Sequence, residues 1–272
     1  MKQVILLITL CLTLSVITFG QDPTKAAPDS YKLQFENEWL RVLRVHYAAK
    51  QKVPVHDHSK GPAMYVYLND SGPIRFTHTD WDHPLLVRQA VKAKSFRLSP
   101  TRFDNETHSV ENPNDTASDF LRIELRTEAP DRASLSGRFA PDQFNRSAGL
   151  RRKVFENSQL RITRLSPPDG QVLTVTAESG RPSLVIAVAA GLSGTANVAA
   201  GDSFWLGPGE KRSFESNKLS APIELLKLDL ITGPQGSRGA STTAMDMPVR
   251  GPAGLFVFEQ TSVLHNFFAR LR

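Results

Sequence analysis

The chain has 272 residues, 40% apolar and 22% charged, with 17 Gly and 18 Pro. That composition excludes a disordered or collagen-like chain and is enough for two cores of ordinary size. The formal charge of +6 is small and scattered, and it supplies no basic surface for nucleic acid.

The chain opens on a leader. Lys2 precedes an apolar run from Val4 to Phe19, followed by Gly20-Gln21-Asp22-Pro23. A charged start, a short apolar centre and a small or polar exit read as a secretory signal peptide over residues 1–20. The run is short for a membrane span and no second one follows. The expected product is therefore exported, periplasmic or secreted, cleaved near Gly20 and free of membrane afterwards. The single cysteine, Cys11, lies inside the leader behind the bulky Leu10. It is badly placed for a lipid anchor, and the mature chain has no disulfide and no thiolate ligand.

An internal repeat organises the remainder. QFENEWLRVLRV at 34–45 returns as VFENSQLRITRL at 154–165, an offset of 120. Pro62-Ala63-Met64 aligns with Pro182-Ser183-Leu184 at the same offset, and KSFRLSP at 94–100 with DSFWLGP at 202–208. FLRIEL at 120–125 aligns with LLKLDL at 225–230. Order is kept while the offset shrinks, as in a duplicated domain whose second copy has shorter loops. The expected organisation is a first domain over 31–128, a linker over 129–149, a second domain over 150–232 and a loop-rich tail over 233–272.

Within each copy the pattern is that of strands. Met64-Tyr65-Val66-Tyr67-Leu68 runs into the turn residues Asn69-Asp70-Ser71-Gly72. Leu121, Ile123 and Leu125 alternate with Arg122, Glu124 and Arg126, which predicts a strand with one buried face. Short strands between Pro, Gly and Asn turns, without a long helix, predict an all-β sandwich or barrel.

The histidines carry the chemistry. His56 and His58 are two apart on an extended segment, so both imidazoles point the same way. His108 follows about fifty residues later in Thr107-His108-Ser109-Val110-Glu111-Asn112. Three convergent imidazoles suit a divalent ion of Fe, Zn, Mn or Ni and leave coordination positions open. His78 and His83, on either side of Trp81, read as surface residues of a hairpin tip. His46 reads as a core or barrel-lining residue of the first long strand. Arg41 and Arg44 recur as Arg161 and Arg164, which suggests a structural role. The sequons at Asn69, Asn105, Asn114 and Asn145 read as polar turn residues. No phosphate-binding loop, nucleophile elbow or His-Glu-x-x-His helix is present.

The first copy, with a Pro-x-His-x-His turn, an apolar strand, Gly, and then His-x3-Asn, resembles the cupin superfamily. The resemblance covers both copies, roughly residues 31–128 and 150–232, so the chain resembles a bicupin: two tandem jelly-roll barrels. The resemblance implies a metal at the mouth of the first barrel, with His56, His58 and His108 as ligands and Asn112 at the motif's asparagine. The glutamate that the family's first motif supplies after its second histidine is missing; Pro62, Ala63 and Tyr65 occupy the region. The ligand set then resembles the three-histidine set of thiol dioxygenase-type cupins, and Tyr65 is the candidate hydrogen-bond donor to bound water or substrate. Glu106 and Glu111 are spare carboxylates near His108, with surface charge the alternative. At the repeat offsets Thr176, Glu178 and Ser213 replace the histidines, so the second copy is expected to lack the site and to bury a face against the first. The implied functions are a metal-dependent binding barrel for a small molecule, a metal-dependent dioxygenase-type oxidoreductase or isomerase, and a purely structural bicupin. Fold resemblance alone does not choose among them, nor does it fix the oligomeric state.

Overall fold

The computed structural model describes residues 21–59, 61–79, 82–100, 106–129, 134–142, 147–216 and 223–236. The leader expected at 1–20, Trp81, Asn105, Asn145 and His265 lie outside them. A short helix, α1 (Pro23–Ala26), capped by Asp22, precedes the first barrel. That barrel holds β1 (Tyr31–Glu36), β2 (Leu40–Tyr47), β3 (Lys52–His58), β4 (Ala63–Tyr67), β5 (Ile74–His78), β6 (Leu85–Arg88), β7 (Phe96–Ser99), β8 (Glu106–Glu111) and β9 (Ser118–Leu125). Its larger sheet has the order β1-β2-β9-β4-β7, and its smaller one β3-β8-β5-β6. Within the stretch expected as a linker, β10 (Gly137–Phe139) adds a strand to the larger sheet by pairing with β7.

The second barrel repeats this plan with β11 (Leu150–Glu156), β12 (Leu160–Ser166), β13 (Val172–Thr176), β14 (Ser183–Ala187), β15 (Gly191–Ser193), β16 (Ala196–Val198), β17 (Ser203–Leu206), β18 (Lys211–Glu215) and β19 (Leu225–Leu230). Its sheets run β11-β12-β19-β14-β17 and β13-β18-β15-β16, the same order strand for strand.

The repeated Phe-Glu-Asn-x-x-Leu-Arg motif has a physical reading. The side-chain oxygen of Asn37 accepts from the backbone of Trp39 and Leu40, and that of Asn157 from Gln159 and Leu160, so each asparagine closes the hairpin between its copy's first two strands. Both hairpins carry a register shift at the same place, between Leu33 and Phe35 and between Lys153 and Phe155. Leu40 and Leu160 are fully buried. Arg41 and Arg161 turn back onto Glu36 and Glu156. Arg44 donates to the carbonyl of Ala200 in the second barrel, and Arg164 donates to that of Lys94 in the first, a reciprocal exchange across the duplication. Gly201, at φ +92°, is required here: a Cβ would lie 2.0 Å from the Arg44 guanidinium.

Three apolar layers follow from the strand alternation. Leu43, Val45, Tyr65, Tyr67, Ile74 and Phe120 fill the first barrel. Leu165, Val175, Val185, Phe214 and Leu225 fill the second. Between them, the outward faces of the two larger sheets meet through Val42, Met64, Ile123, Ile162, Leu184 and Leu228, with Trp205 stacked on Phe35. Fully burying each such side chain is worth about 1.5–3 kcal/mol, so the barrels bury a common face, as the sequence led us to expect. Strands β4 and β9 lie in both layers and are buried on both sides. Arg122 and Glu124 therefore do not face solvent, as simple alternation suggested. They point into the first barrel. Among the described residues no helix is long and apolar enough to cross a membrane.

Candidate metal centre

Strand β3 owes its histidine face to an irregularity. Val53 pairs with Val110 and His56 with His108, so the register slips by one residue between them, where Pro54 and Val55 are both exposed. A bulge of this kind changes which side chains face inward. Beyond it His56 and His58 point into the barrel, and β8 presents His108 and Glu106 opposite them. In the second barrel the β13–β18 pairing runs without a shift. The residues that replace the histidines inside that barrel are thus Val175 and Ala177, with Arg212 across from Val175. Thr176 and Glu178, assigned by sequence offset, lie outside it, the first exposed and the second half-buried.

His56, His58 and His108 are buried, and one ring nitrogen from each falls within 4.8 Å of the others. Their ring centroids are 4.8–5.2 Å apart. Nδ1 of His56 lies 2.8 Å from the carbonyl of Pro54. Nδ1 of His58 lies 3.3 Å from Oε1 of Glu124. Donation from Nδ1–H in each case leaves the Nε2 lone pair free to face inward. Nε2 of His56 is 2.9 Å from the hydroxyl of Tyr31, which in turn lies 2.5 Å from that of Tyr47. Neither ring nitrogen of His108 has a hydrogen-bond partner among the described residues. A buried, unpartnered imidazole at the centre of a histidine cluster fits a metal ligand better than a structural residue.

Burial, followed by the neighbouring His58, pushes the pKa of His56 down to about 4. Burial and then Arg122 lower that of His58; burial and then His58 hold that of His108 well below its ordinary value. Neutral imidazoles are the form that binds a cation.

A charged network supports the triad. Arg122 on β9 contacts Glu106 at 2.7 Å and Glu124 at 2.9 Å, and donates to the hydroxyl of Tyr65 at 2.8 Å. Burial pushes both carboxyls upward; Arg122 outweighs it at Glu106, which lies far below the ordinary range, and His58 followed by Arg122 outweighs it at Glu124, which is held at about 2. Tyr65 lines a cavity together with His58 and His108, with its ring beneath Arg97. Glu106 is an interior carboxylate, whereas Glu111 is a surface residue paired with Arg75.

Two histidines differ from their sequence reading. His78 is buried rather than on the surface: it is the cross-strand partner of His108 on β5, with ring centroids 5.0 Å apart. His46 is exposed and bonded to Asp119 on the outside of the barrel. His83 is exposed, as expected. Asn112 is buried and donates to the carbonyls of Tyr47, Ala48 and Thr116, so it ties loops together rather than meeting the histidines. The side chains of Asn69 and Asn114 likewise brace neighbouring loops.

Tyr31, Tyr47, Arg122 and Glu124 escaped the sequence reading. One signal was available for the last pair. The second copy repeats basic-x-acidic in register as Lys227 and Asp229, which form an ion pair at 2.7 Å.

No family profile matches the sequence, and no curated protein is similar to it in sequence. Solved structures do resemble its fold. The bacterial pirin YhhW from Escherichia coli, in complex with nickel(II), superposes with a TM-score of 0.50 at 14% identity, over 74% of this chain and 90% of that one. The chain has the bicupin fold. YhaK, also from E. coli, gives a TM-score of 0.48 at 14% identity over 74% of this chain and 91% of its own length. A cupin 2 conserved barrel protein from Leptotrichia buccalis gives 0.45 at 10%, over 74% and 88%. In this chain the first barrel carries the histidine cluster and the second lacks it.

Proposed function

We propose that the first barrel binds one divalent metal ion through His56, His58 and His108 and offers its remaining coordination positions to a small organic ligand. The observation that carries this reading is the convergence of three buried imidazoles on one point, with His108 otherwise unpartnered. The nickel(II) held by pirin, a protein of the same fold, agrees with it. Glu124 orients His58, and Pro54 orients His56. A cation held on Nε2 of His56 would take the place of the Tyr31 hydroxyl there, and the Tyr31–Tyr47 pair would remain beside the site. A bound ion would polarise an oxygen of that ligand or, as iron, support reaction with dioxygen.

Protein purified without a histidine tag is expected to contain about one Fe, Zn, Mn or Ni per chain by elemental analysis. His108→Ala and His58→Ala are expected to lower that content more than tenfold while near-UV circular dichroism stays unchanged. Metal content below a tenth of an ion in every preparation, including protein soaked with each ion, would overturn the proposal. Oxygen uptake by the iron form, lost in His108→Ala, assigns the dioxygenase-type reading, and a metal-loaded protein without turnover assigns the binding barrel.

We also propose that the chain is exported, on the leader pattern of residues 1–20. The intact mass of protein recovered from outside the cytoplasm is expected to begin at Gln21. A mass that retains Met1–Gly20 would overturn this.

A further inference from the structure

The histidine cluster opens onto a cavity of about 50 Å³. At its opposite wall lies Arg88, the last residue of β6, with a relative exposure of 6%. One guanidinium nitrogen, Nη2, donates to the hydroxyls of Ser71 and Ser118 at 3.1 Å each and to the carbonyl of Gly72 at 3.4 Å. The other two, Nε and Nη1, meet no partner at full hydrogen-bond geometry among the described residues; the neutral Tyr67 hydroxyl is the group that interacts with them. The guanidinium lies over the rings of Tyr67 and Phe120, with its carbon 5.2 and 5.9 Å from their centroids. No carboxylate among the described residues pairs with it, in contrast to Arg122, which has Glu106 and Glu124.

A buried cation without a counter-charge is costly, and chains keep one where a ligand completes it. Arg97, Arg122 and Arg138 line the same space, so four guanidiniums share the cavity wall with one carboxylate, that of Glu106. The walls between Arg88 and the histidines are aromatic: Tyr67, Phe76 and Phe120. Planar guanidinium with open N–H groups beside aromatic rings suits a carboxylate carried on a compact organic body.

We propose that this cavity binds a small organic carboxylate, with its anionic group on Arg88 and its body directed toward His108. The inference takes its setting beside a metal from the function proposed above, but its content rests on Arg88. The two fail separately because the anion end can be tested in metal-stripped protein.

The test uses full-length protein, stripped with EDTA and also metal-loaded, titrated calorimetrically with acetate, propionate and benzoate, each beside its neutral amide, and with inorganic phosphate. At least one carboxylate is expected to bind tenfold or more tightly than its amide in the stripped protein. Arg88→Met is expected to abolish that preference and Arg88→Lys to keep part of it, with the metal content of both equal to wild type. Equal binding of every acid and its amide, or tighter binding of phosphate than of any carboxylate, would overturn the proposal and leave the metal reading standing. So would a preference that survives in Arg88→Met. A carboxylate preference in protein that takes up no metal supports the anion site and removes the metal reading alone. The comparison of acid with amide in the wild type decides the matter even if Arg88→Met fails to fold.

Discussion

Arg122→Met is expected to destabilise the protein by about 3–5 kcal/mol, the usual loss when one partner of a buried ion pair is removed. Arg122 is 3% exposed and sits between Glu106 and Glu124, which are 7% and 3% exposed. Its three nitrogens are all engaged, on Glu106, Glu124 and Tyr65. Methionine matches much of its volume but leaves two carboxyls in a barrel interior without their cation. Burial, already the largest influence on each carboxyl, then loses its main opponent at Glu106 and one of two at Glu124, so both are expected to take up protons at a higher pH than in the wild type. The triple variant Arg122→Met with Glu106→Gln and Glu124→Gln removes the stranded charges and is expected to recover most of the loss. Urea denaturation of the three proteins at pH 7.5 measures both steps. A loss below about 1 kcal/mol in the single variant would show that the network contributes little to folding. Metal content adds a second readout, since Glu124 orients His58. Loss of a hydrogen-bond partner to a metal-binding histidine typically weakens affinity by about 10–100-fold.

The contrast between what the sequence disclosed and what it hid has a geometric cause. The duplication was legible because the hairpin asparagines, the Leu40 and Leu160 anchors and the reciprocal Arg44 and Arg164 are local requirements that both copies must meet. The triad was legible because His-x-His on any strand shares a face. What stayed hidden depends on layers and register. Strand β9 reads as a half-exposed strand, yet the second barrel covers its leucine face, which leaves Arg122 and Glu124 to the interior. The bulge at Pro54 and Val55 reverses the facing of everything after it, so matching the copies by number placed Thr176 and Glu178 where Val175 and Ala177 stand. His78 sits in a polar stretch resembling a hairpin tip, and only the pairing of β5 with β8 brings it against His108.

Acid is expected to unfold the metal-stripped protein through the same histidines. In the unfolded chain an imidazole takes up its proton near pH 6.5. In the folded protein burial, reinforced by His58, delays that uptake at His56 until about pH 4. Between those two values the unfolded chain holds more protons than the folded one, so stability is full above pH 6.5 and falls as the pH drops toward 4. At 1.36 kcal/mol per pH unit, His56 alone accounts for about 3 kcal/mol across that window. His58 and His108 are shifted in the same direction and add to the loss. Glu106 and Glu124 titrate at lower pH, so a decline that begins between pH 6.5 and 5 belongs to the imidazoles. Urea midpoints of stripped protein at half-unit steps from pH 7.5 to 4.5 measure the slope. The variant carrying His56→Gln, His58→Gln and His108→Gln is expected to flatten it, because glutamine keeps a polar side chain and takes up no proton. Metal-loaded protein is expected to be more stable at pH 7.5 and to fall more steeply, since the ion binds neutral imidazoles and is lost as they protonate. A wild-type profile as flat as that of the triple variant would mean that the three rings are hydrated and titrate at their ordinary value, contrary to the closed, dry arrangement at the end of β3.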